Sequence, residues 1–478
     1  MVSEVSSHAG PSVAPRKPAR TAPASAGQKP SLWIWVPWVW FLFAATRQPA
    51  RWLLWNKPVN FGADDTAGGS ADRIVMLLLM FVGAYVLSKR RIQVSRILTK
   101  NKGLLILFGY MGASVVWSNF PLISIVRFGR TVGVLEMVLV VLTERDPLEA
   151  IRFLLRSVYF LHMTLSAVAI RYVRNIGVFY DWSGQFEEWI GLSTDKNSLG
   201  QVSMCSGIFW LWQICDDWRS GTRKTRLRRL LFDCTLLAIT LWILRGSPTV
   251  HSATSIIGFV VCATALLGLQ LIRKRAARAK RILAGAVIAA VAVGGPLYLA
   301  FQALGTTPAE AVVQATGRNM TFTDRNLIWM DVLNIAKRNP ILGVGVGALW
   351  VGRIGVEIYP MPNWSRKTPQ WRPQEAHNGY IDTYAQIGII GLVLLVIVIW
   401  QAIAGALSDL ERNFLMGSLR LLLLLGIVIN NMSESSYLLA THDLWFLFLL
   451  TAVNLPRSVL KAPVQVDART LGRPAPVY

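Results

Sequence analysis

The stretch QIGIIGLVLLVIVIWQAIAGAL, Gln386 through Leu407, runs 22 residues without a charged side chain. As a helix it would be about 33 Å long, enough to cross the roughly 30 Å hydrocarbon core of a bilayer. Reading outward, the same signature recurs along the chain. Apolar stretches lie at Ser31–Thr46, Ala71–Ser88, Gly103–Ser118, Leu122–Leu142, Ile151–Ile170, Ser198–Ile214, Leu230–Leu244, Ser252–Ile272, Ile282–Ala303, Leu419–Met432 and Leu438–Leu455. The expectation is an all-α, polytopic membrane protein of about twelve transmembrane helices.

Composition agrees. Of 478 residues, 53% are hydrophobic and 16% charged, against about a quarter charged in a soluble domain. Lys and Arg outnumber Asp and Glu by 49 to 26, a net +23. The basic residues cluster between apolar runs rather than on one face, which reads as topology and not as a nucleic-acid surface. Three clusters stand out: Lys89, Arg90, Arg91, Arg96, Lys100 and Lys102; Arg219, Arg223, Lys224, Arg226, Arg228 and Arg229; Arg273, Lys274, Arg275, Arg278, Lys280 and Arg281. With twelve spans and an inside start, all three face the cytoplasm, as do both termini. Residues 1–30, rich in Pro, Ala and Ser, read as a disordered cytoplasmic tail and not as a signal peptide. Residues 31–303 hold the first nine spans, 386–455 the last three, and 456–478 a second cytoplasmic tail. Cys205, Cys215, Cys234 and Cys262 form no CxxC pair and read as small apolar residues.

Two outward loops are long, Arg171–Asn197 and Leu304–Ala385. The second is the larger and carries Trp329, Trp350, Trp364 and Trp371, a composition suited to order rather than disorder. Within it, Ile328, Val332, Ile335 and Ala336 follow helical spacing over Asp324–Arg338, and Pro340 ends the helix. The run Gly343-Val344-Gly345-Val346-Gly347 lacks the GK[ST] of a phosphate loop and the strand–helix context of a dinucleotide site. It suits a tight turn or a close backbone approach.

Glu375-Ala376-His377-Asn378-Gly379-Tyr380 then precedes the last group of spans. A histidine at a helix N-terminus is disfavoured as a cation, so His377 is expected neutral and available as a base. Arg127 and Arg130 lie inside an apolar span, three residues apart and on one face. Cations there usually have partners or line a cavity. The alternatives are a structural ion pair and a site for an anionic group such as a lipid diphosphate. Glu136 in the same span lies off that face. Weaker candidates are His162, Arg245 with Ser247 and His251, Glu434 with His442 and Asp443, and Lys196 beside Asp195 and Asn197. No His, Asp or Glu group has metal-ligand spacing, and GxSxG and HExxH are absent.

Four segments resemble the O-antigen ligase and Wzy-type polymerase superfamily, nearest its exopolysaccharide-polymerase branch. Trp117-Ser118, Pro121 and the two arginines resemble its WS-x-x-P … R-x-x-R span. Gly191–Gly200 resembles its KN-x-x-G segment. Thr323-Asp324-Arg325 with Trp329 and Pro340–Gly345 resembles T-G-R … W … P-x-x-G-x-G, and His377-Asn378 through Gly391 its HN motif. The resemblance spans about Ser114–Leu455. It implies an inner-membrane protein with a large periplasmic loop and metal-independent glycosyl transfer without a cofactor. The implied donor is an undecaprenyl-diphosphate-linked glycan, with a glycan acceptor, surrounding membrane lipids, and polysaccharide export and chain-length proteins as partners.

By position His377 would assist the acceptor hydroxyl, while Arg325, Arg127 and Arg130 would hold the diphosphate. Lys196, Asn378 and Arg245 join them as substrate-binding candidates. Two departures stand out. Asp324 replaces the family's glycine, and Ser252-Ala253-Thr254-Ser255 lacks the arginine many ligases carry there. Both a ligase and a lipid-linked sugar flippase stand as rival functions.

Overall fold

The computed structural model describes residues 29–53, 69–180, 186–218, 223–248, 250–273, 285, 325–351, 359–366 and 373–456. The expected span Ile282–Ala303 apart from Gly285, residues 304–324 of the large loop with Asp324, Trp371, Arg219, the third basic cluster beyond Arg273, and nearly all of both tails lie outside the described residues.

Eleven of the twelve apolar stretches coincide with helices among the described residues. A short 3-10 turn, Leu32–Ile34, leads into α1 (Trp35–Ala45) and α2 (Pro49–Leu53). Next come α3 (Ser70–Lys89), α4 (Arg91–Lys100) and α5 (Lys102–Ala113). Two longer helices, α6 (Pro121–Leu142) and α7 (Pro147–Tyr172), each open on a proline, whose missing N–H costs nothing in a first turn. The short α8 (Arg174–Gly177) leads into β1 (Val178–Tyr180), which pairs antiparallel with β2 (Glu187–Trp189), Val178 opposite Trp189. Among the described residues this hairpin departs from an otherwise helical pattern. β1 is Val-Phe-Tyr, residues suited to a strand, while β2 is Glu-Glu-Trp.

The remaining helices are α9 (Lys196–Asp217), α10 (Arg223–Arg245), α11 (Ala253–Leu271), α12 (Arg325–Ala336), α13 (Pro362–Ser365), α14 (Gly379–Arg412), α15 (Phe414–Asn430) and α16 (Asp443–Ala452). Four of the described helices, α3, α7, α11 and α14, are both long and apolar enough to cross a membrane. α6 is as long but carries Arg127, Arg130 and Glu136, and α10 begins in a basic cluster. α1, α5, α15 and α16 are shorter apolar helices.

The main core is a single helical bundle. It runs from Trp40 and Phe41 on α1, through Tyr159 on α7 and Trp210 and Trp212 on α9, to Trp445 and Phe448 on α16. A second, smaller core lies in the large loop. Ile328, Val332, Ile335 and Ala336 on α12 pack with Leu349, Trp350, Met361 and Trp364. Those four α12 residues are the ones whose spacing predicts a helix. Asp331, 1% exposed, ties α13 to α12 by accepting from Asn363 Nδ2 at 2.7 Å and Trp364 N at 2.9 Å. A buried carboxylate needs such donors.

α14 is broken. Ile387 and Gly388 leave helical geometry, Gly388 at φ 68°. In hydrocarbon, backbone groups freed by a break must find partners in the protein. The segment after Pro340 supplies them. Val344 N donates to Ala385 O at 3.1 Å and Gly345 N to Gln386 O at 2.8 Å, while Ile389 N donates to Pro340 O at 2.9 Å. Tyr110 of α5 adds a hydrogen bond to Ile387 O at 3.1 Å. The large loop is thus stitched into the membrane domain by backbone pairing. Gly343, Gly345 and Gly347 all take positive φ, at 73°, 102° and 68°. Any Cβ at Gly343 would lie 2.5 Å from Gln386 O.

Candidate functional site

His377 sits immediately before α14, at φ 48°, a left-handed backbone uncommon for a residue with a Cβ. Its neighbours hold it there. Asn378 caps α14, its side-chain oxygen accepting from Tyr380 N at 3.0 Å and Ile381 N at 3.1 Å. Its amide donates to Met432 O at 3.1 Å, and its backbone N to Ser435 Oγ at 3.1 Å. Gly379 N donates to Asn431 O and Glu434 O. On the other side, Trp329 of α12 donates to Ala376 O at 2.8 Å. The loop histidine is therefore clamped between α12, α14 and the hairpin 431–442.

That hairpin supplies what the sequence placed only among weaker candidates. Glu434 Oε2 lies 3.0 Å from His377 Nδ1, and Glu375 Oε1 lies 2.8 Å from the same nitrogen. Arg325, the first residue of α12, donates to Glu434 Oε1 at 2.6 Å and to the Ser433 carbonyl. The result is a row of alternating charge: Arg325, Glu434, His377, Glu375. Glu434 is 3% exposed, so its pairing is a condition of its being charged.

The expectation of a neutral His377 is corrected by this pairing. Burial alone would lower its pKa, but the charges and hydrogen bonds of Glu375 and Glu434 outweigh burial and raise it to about 10. The two carboxylates flanking the ring override the helix N-terminus. Burial would raise Glu434, yet the bonds from His377 and the Arg325 charge hold it below the ordinary carboxylate range. Glu375 stays above that range, because burial and the Glu434 charge exceed the help His377 gives. His442 is raised too: burial opposes, while Asp443, Glu375 and Asp195 favour the cation. Charges from the tip of α9 and the start of α16 therefore reach the same region.

Glu375, His377 and Glu434 offer donor atoms within 4.8 Å of one another, a grouping that fits a metal ion and that spacing along the chain did not reveal. Arg325 and a protonated His377 already neutralise both carboxylates, so the group is balanced without one.

The other candidates divide. Arg127 donates to the carbonyls of Gly347 and, at 3.4 Å, Trp350, and its side chain packs where a Cβ on Gly347 would lie. It holds the glycine run against α6. Trp350 in turn donates to Asp382 Oδ1 at 2.8 Å, and Ala376 N donates to Asp382 Oδ2 at 3.3 Å. Arg127 thus connects to His377 through a short chain of contacts. Arg130 lies within electrostatic reach of Asp72 and Arg73 at the start of α3. Lys196 is paired with Glu188 of β2 at 2.5 Å. Arg245 is exposed at the end of α10. Neither Lys196 nor Arg245 contacts the charged row among the described residues. Asn378 is 1% exposed; its side-chain oxygen caps α14 and its amide donates to Met432 O.

Ser252 and Ser255 pair at 2.9 Å, and Thr254 meets Ser433 beside Glu434 at 2.5 Å. The segment lacking the ligase arginine therefore packs next to the row. His162, fully buried, bonds Ala45 O at 2.9 Å and Ser193 at 3.2 Å, a packed structural histidine.

The family comparison covers two of the four motif segments, those around Arg325–Gly345 and His377–Gly391. Residues 235–396 match the family model described as O-antigen ligase. The matched region holds Arg245, Arg325 and His377, but not Arg127, Arg130, Lys196 or Glu434. The chain is also similar to the exopolysaccharide production protein ExoQ of Rhizobium meliloti (strain 1021), 30% identical over 168 residues. That alignment covers 34% of this chain and 36% of the relative. The chain thus spans about a third of the length of the relative it matches. The resemblance to the O-antigen ligase and Wzy-type family is borne out.

Proposed function

From a helical membrane chain similar to the O-antigen ligase family, we propose a polymerase that joins undecaprenyl-diphosphate-linked repeat units into exopolysaccharide on the periplasmic face of the inner membrane. The single observation that carries this reading is the Arg325–Glu434–His377–Glu375 row, which joins the start of α12, the start of α14 and the hairpin before α16. The likeness to an exopolysaccharide production protein favours polymerisation over ligation. The proposed architecture is twelve spans, with the large loop periplasmic and both termini cytoplasmic.

The chemistry needs an acceptor hydroxyl, a base and a home for the charge of the leaving group. In the transfer, the acceptor oxygen bonds to the anomeric carbon of the donor glycan. The bond from that carbon to the diphosphate oxygen breaks, and its electron pair leaves with the undecaprenyl diphosphate. Both carboxylates bind Nδ1 of His377, which leaves Nε2 as the ring nitrogen without a described protein partner. As an imidazolium, His377 offers Nε2–H to the departing diphosphate, and Arg325 adds fixed positive charge. Pre-set donors of this kind, in a partly dry site, are worth about 10²–10³-fold each. Glu375, a quarter exposed and raised by burial, takes the hydroxyl proton. Arg130, with Arg127 beside it, extends the positive path into the membrane, where the diphosphate of a lipid carrier enters. Of the loop tryptophans, Trp350 and Trp364 are buried in the loop core, and half-buried Trp329 beside Ala376 offers a face for a sugar.

A second assignment of the proton has one observation in its favour. A ring held by carboxylates at Nδ1 presents Nε2 in the way a general base does. A second function, ligation of finished glycan to lipid A core or protein, is favoured by the description of the matching family model. In cells whose own copy is deleted, His377→Gln and Glu375→Gln variants, expressed stably in the membrane, should restore less than a hundredth of wild-type polymer. Full restoration by both would refute the proposed site.

A further inference from the structure

Beyond its break at Gly388, α14 continues to Arg412, a helical stretch of roughly 35 Å at 1.5 Å per residue. His377 stands at its start. At its other end is a cavity of about 630 Å³, lined in part by Lys100, Lys102, Gln401, Ser408, Arg412 and Asn454. It lies where the α4–α5 junction, the last turns of α14 and the segment after α16 converge. Nothing in the transfer chemistry uses it.

Its walls are basic and pre-formed. Among the described residues Asp409 is the one carboxylate in the lining, and Arg420, 2% exposed, neutralises it in a buried ion pair. Lys100 donates to the Leu455 carbonyl. Lys102 and Arg412 are exposed and have no ion pair among the described residues. The floor is a closed set of amide bonds. Asn101 Nδ2 donates to Asn454 O at 3.0 Å, and Asn454 N returns to Asn101 Oδ1 at 2.8 Å. Arg420 holds Asn454 Oδ1 at 2.8 Å, and Asn454 Nδ2 donates to Gln401 O at 3.2 Å. A cavity framed this way needs no rearrangement to receive a ligand.

The approach to it is apolar. Ile397 and Trp400, the latter 67% exposed, lie on α14 just before Gln401. In a bilayer those side chains face acyl chains, and a tryptophan at such a position marks the headgroup level. We propose that this cavity binds the phosphate-bearing headgroup of an anionic membrane phospholipid, on the membrane face opposite His377. The phosphate sits among Lys100, Lys102 and Arg412, while an acyl chain lies along α14. Basic pockets between helices recognise lipid headgroups in this way. The inference is independent of which glycan the protein transfers.

The test uses the full-length chain in nanodiscs of equal phosphatidylglycerol and phosphatidylcholine, with retained lipid counted by native mass spectrometry. The wild type should retain phosphatidylglycerol in preference, and a Lys102→Glu/Arg412→Glu variant should lose that preference, about fivefold for each cation removed. Should that variant fail to fold, Lys102→Gln/Arg412→Gln is read in its place, with a smaller loss expected. Equal retention of both lipids by the wild type overturns the proposal. So does an unchanged preference in the variants. Displacement of the lipid by 20 mM inorganic phosphate, an arm at about that concentration, would make the site one for free phosphate and also overturn it.

Discussion

At the scale of single residues, the account turns on where one proton resides. With His377 lifted to about 10, its positive charge is present below that pH and lost above it. If the imidazolium supports the leaving group and Glu375 is the base, kcat/KM rises with pH through the upper carboxylate range. It then falls as pH approaches 10. If Nε2 is the base instead, the rate climbs towards pH 10 and levels off above it. A pH–rate profile on purified protein therefore separates the two by the sign of its alkaline limb.

Glu434 gives a second expectation. Glu434→Ala leaves Arg325 without its buried partner and should destabilise the fold by about 3–5 kcal/mol. Glu434→Gln keeps the shape and should cost less. Thermal unfolding in detergent would compare them, and equal midpoints for all three proteins would contradict the pairing. The membrane arginines should part company in the same assay. Arg127→Ala frees two loop carbonyls and should lower the midpoint, whereas Arg130→Ala should lower donor turnover about tenfold or more with little change in midpoint.

At the scale of elements, the break in α14 joins loop to bundle. Gly388 stands at φ 68°, and a Cβ there would lie 2.1 Å from Ile341 O. Its ψ of −174° puts it in a positive-φ extended region essentially reserved for glycine, so Gly388→Ala should cost about 1–3 kcal/mol of strain plus the clash with the paired segment. A wild-type thermal midpoint and wild-type resistance of the loop to protease would contradict that role. The break also shows what was legible in the sequence and what was not. The spacing on α12, the stop at Pro340 and the close approach of the glycine run were readable, because each is a local property of consecutive residues. The pairing of that run with Ala385 and Gln386 was not, since it joins segments 40 residues apart through backbone atoms that carry no sequence signature. Glu434 was visible only as a loop acid. Nothing near it in the chain marks it as the partner of His377. Asn378, a polar residue beside the key histidine, reads as a substrate ligand, and the cap it forms on α14 is a further role visible only in the structure. His377 misread for a similar reason, because the helix end is local information and the two carboxylates are not.

At the scale of the whole molecule, a folded loop, a charged row and an apolar bundle imply a fixed sidedness. Asn326 on α12 and Arg226 in the second basic cluster should lie on opposite faces of the membrane. Single cysteines at these positions, in a background with Cys205, Cys215, Cys234 and Cys262 replaced, should react differently with an impermeant thiol reagent. Asn326→Cys should label in intact spheroplasts and Arg226→Cys only after lysis. Labelling of both without lysis would break the proposed topology.

The central claim is that this chain joins lipid-linked repeat units outside the cytoplasm. It is tested most directly by mass spectrometry of undecaprenyl-linked glycans in cells lacking the protein, with sidedness read by an impermeant probe. The account expects single repeat units to accumulate on the outer face of the inner membrane. Long polymer still attached to the carrier would point to a ligase, and units held on the inner face would point to a flippase; either result would contradict it.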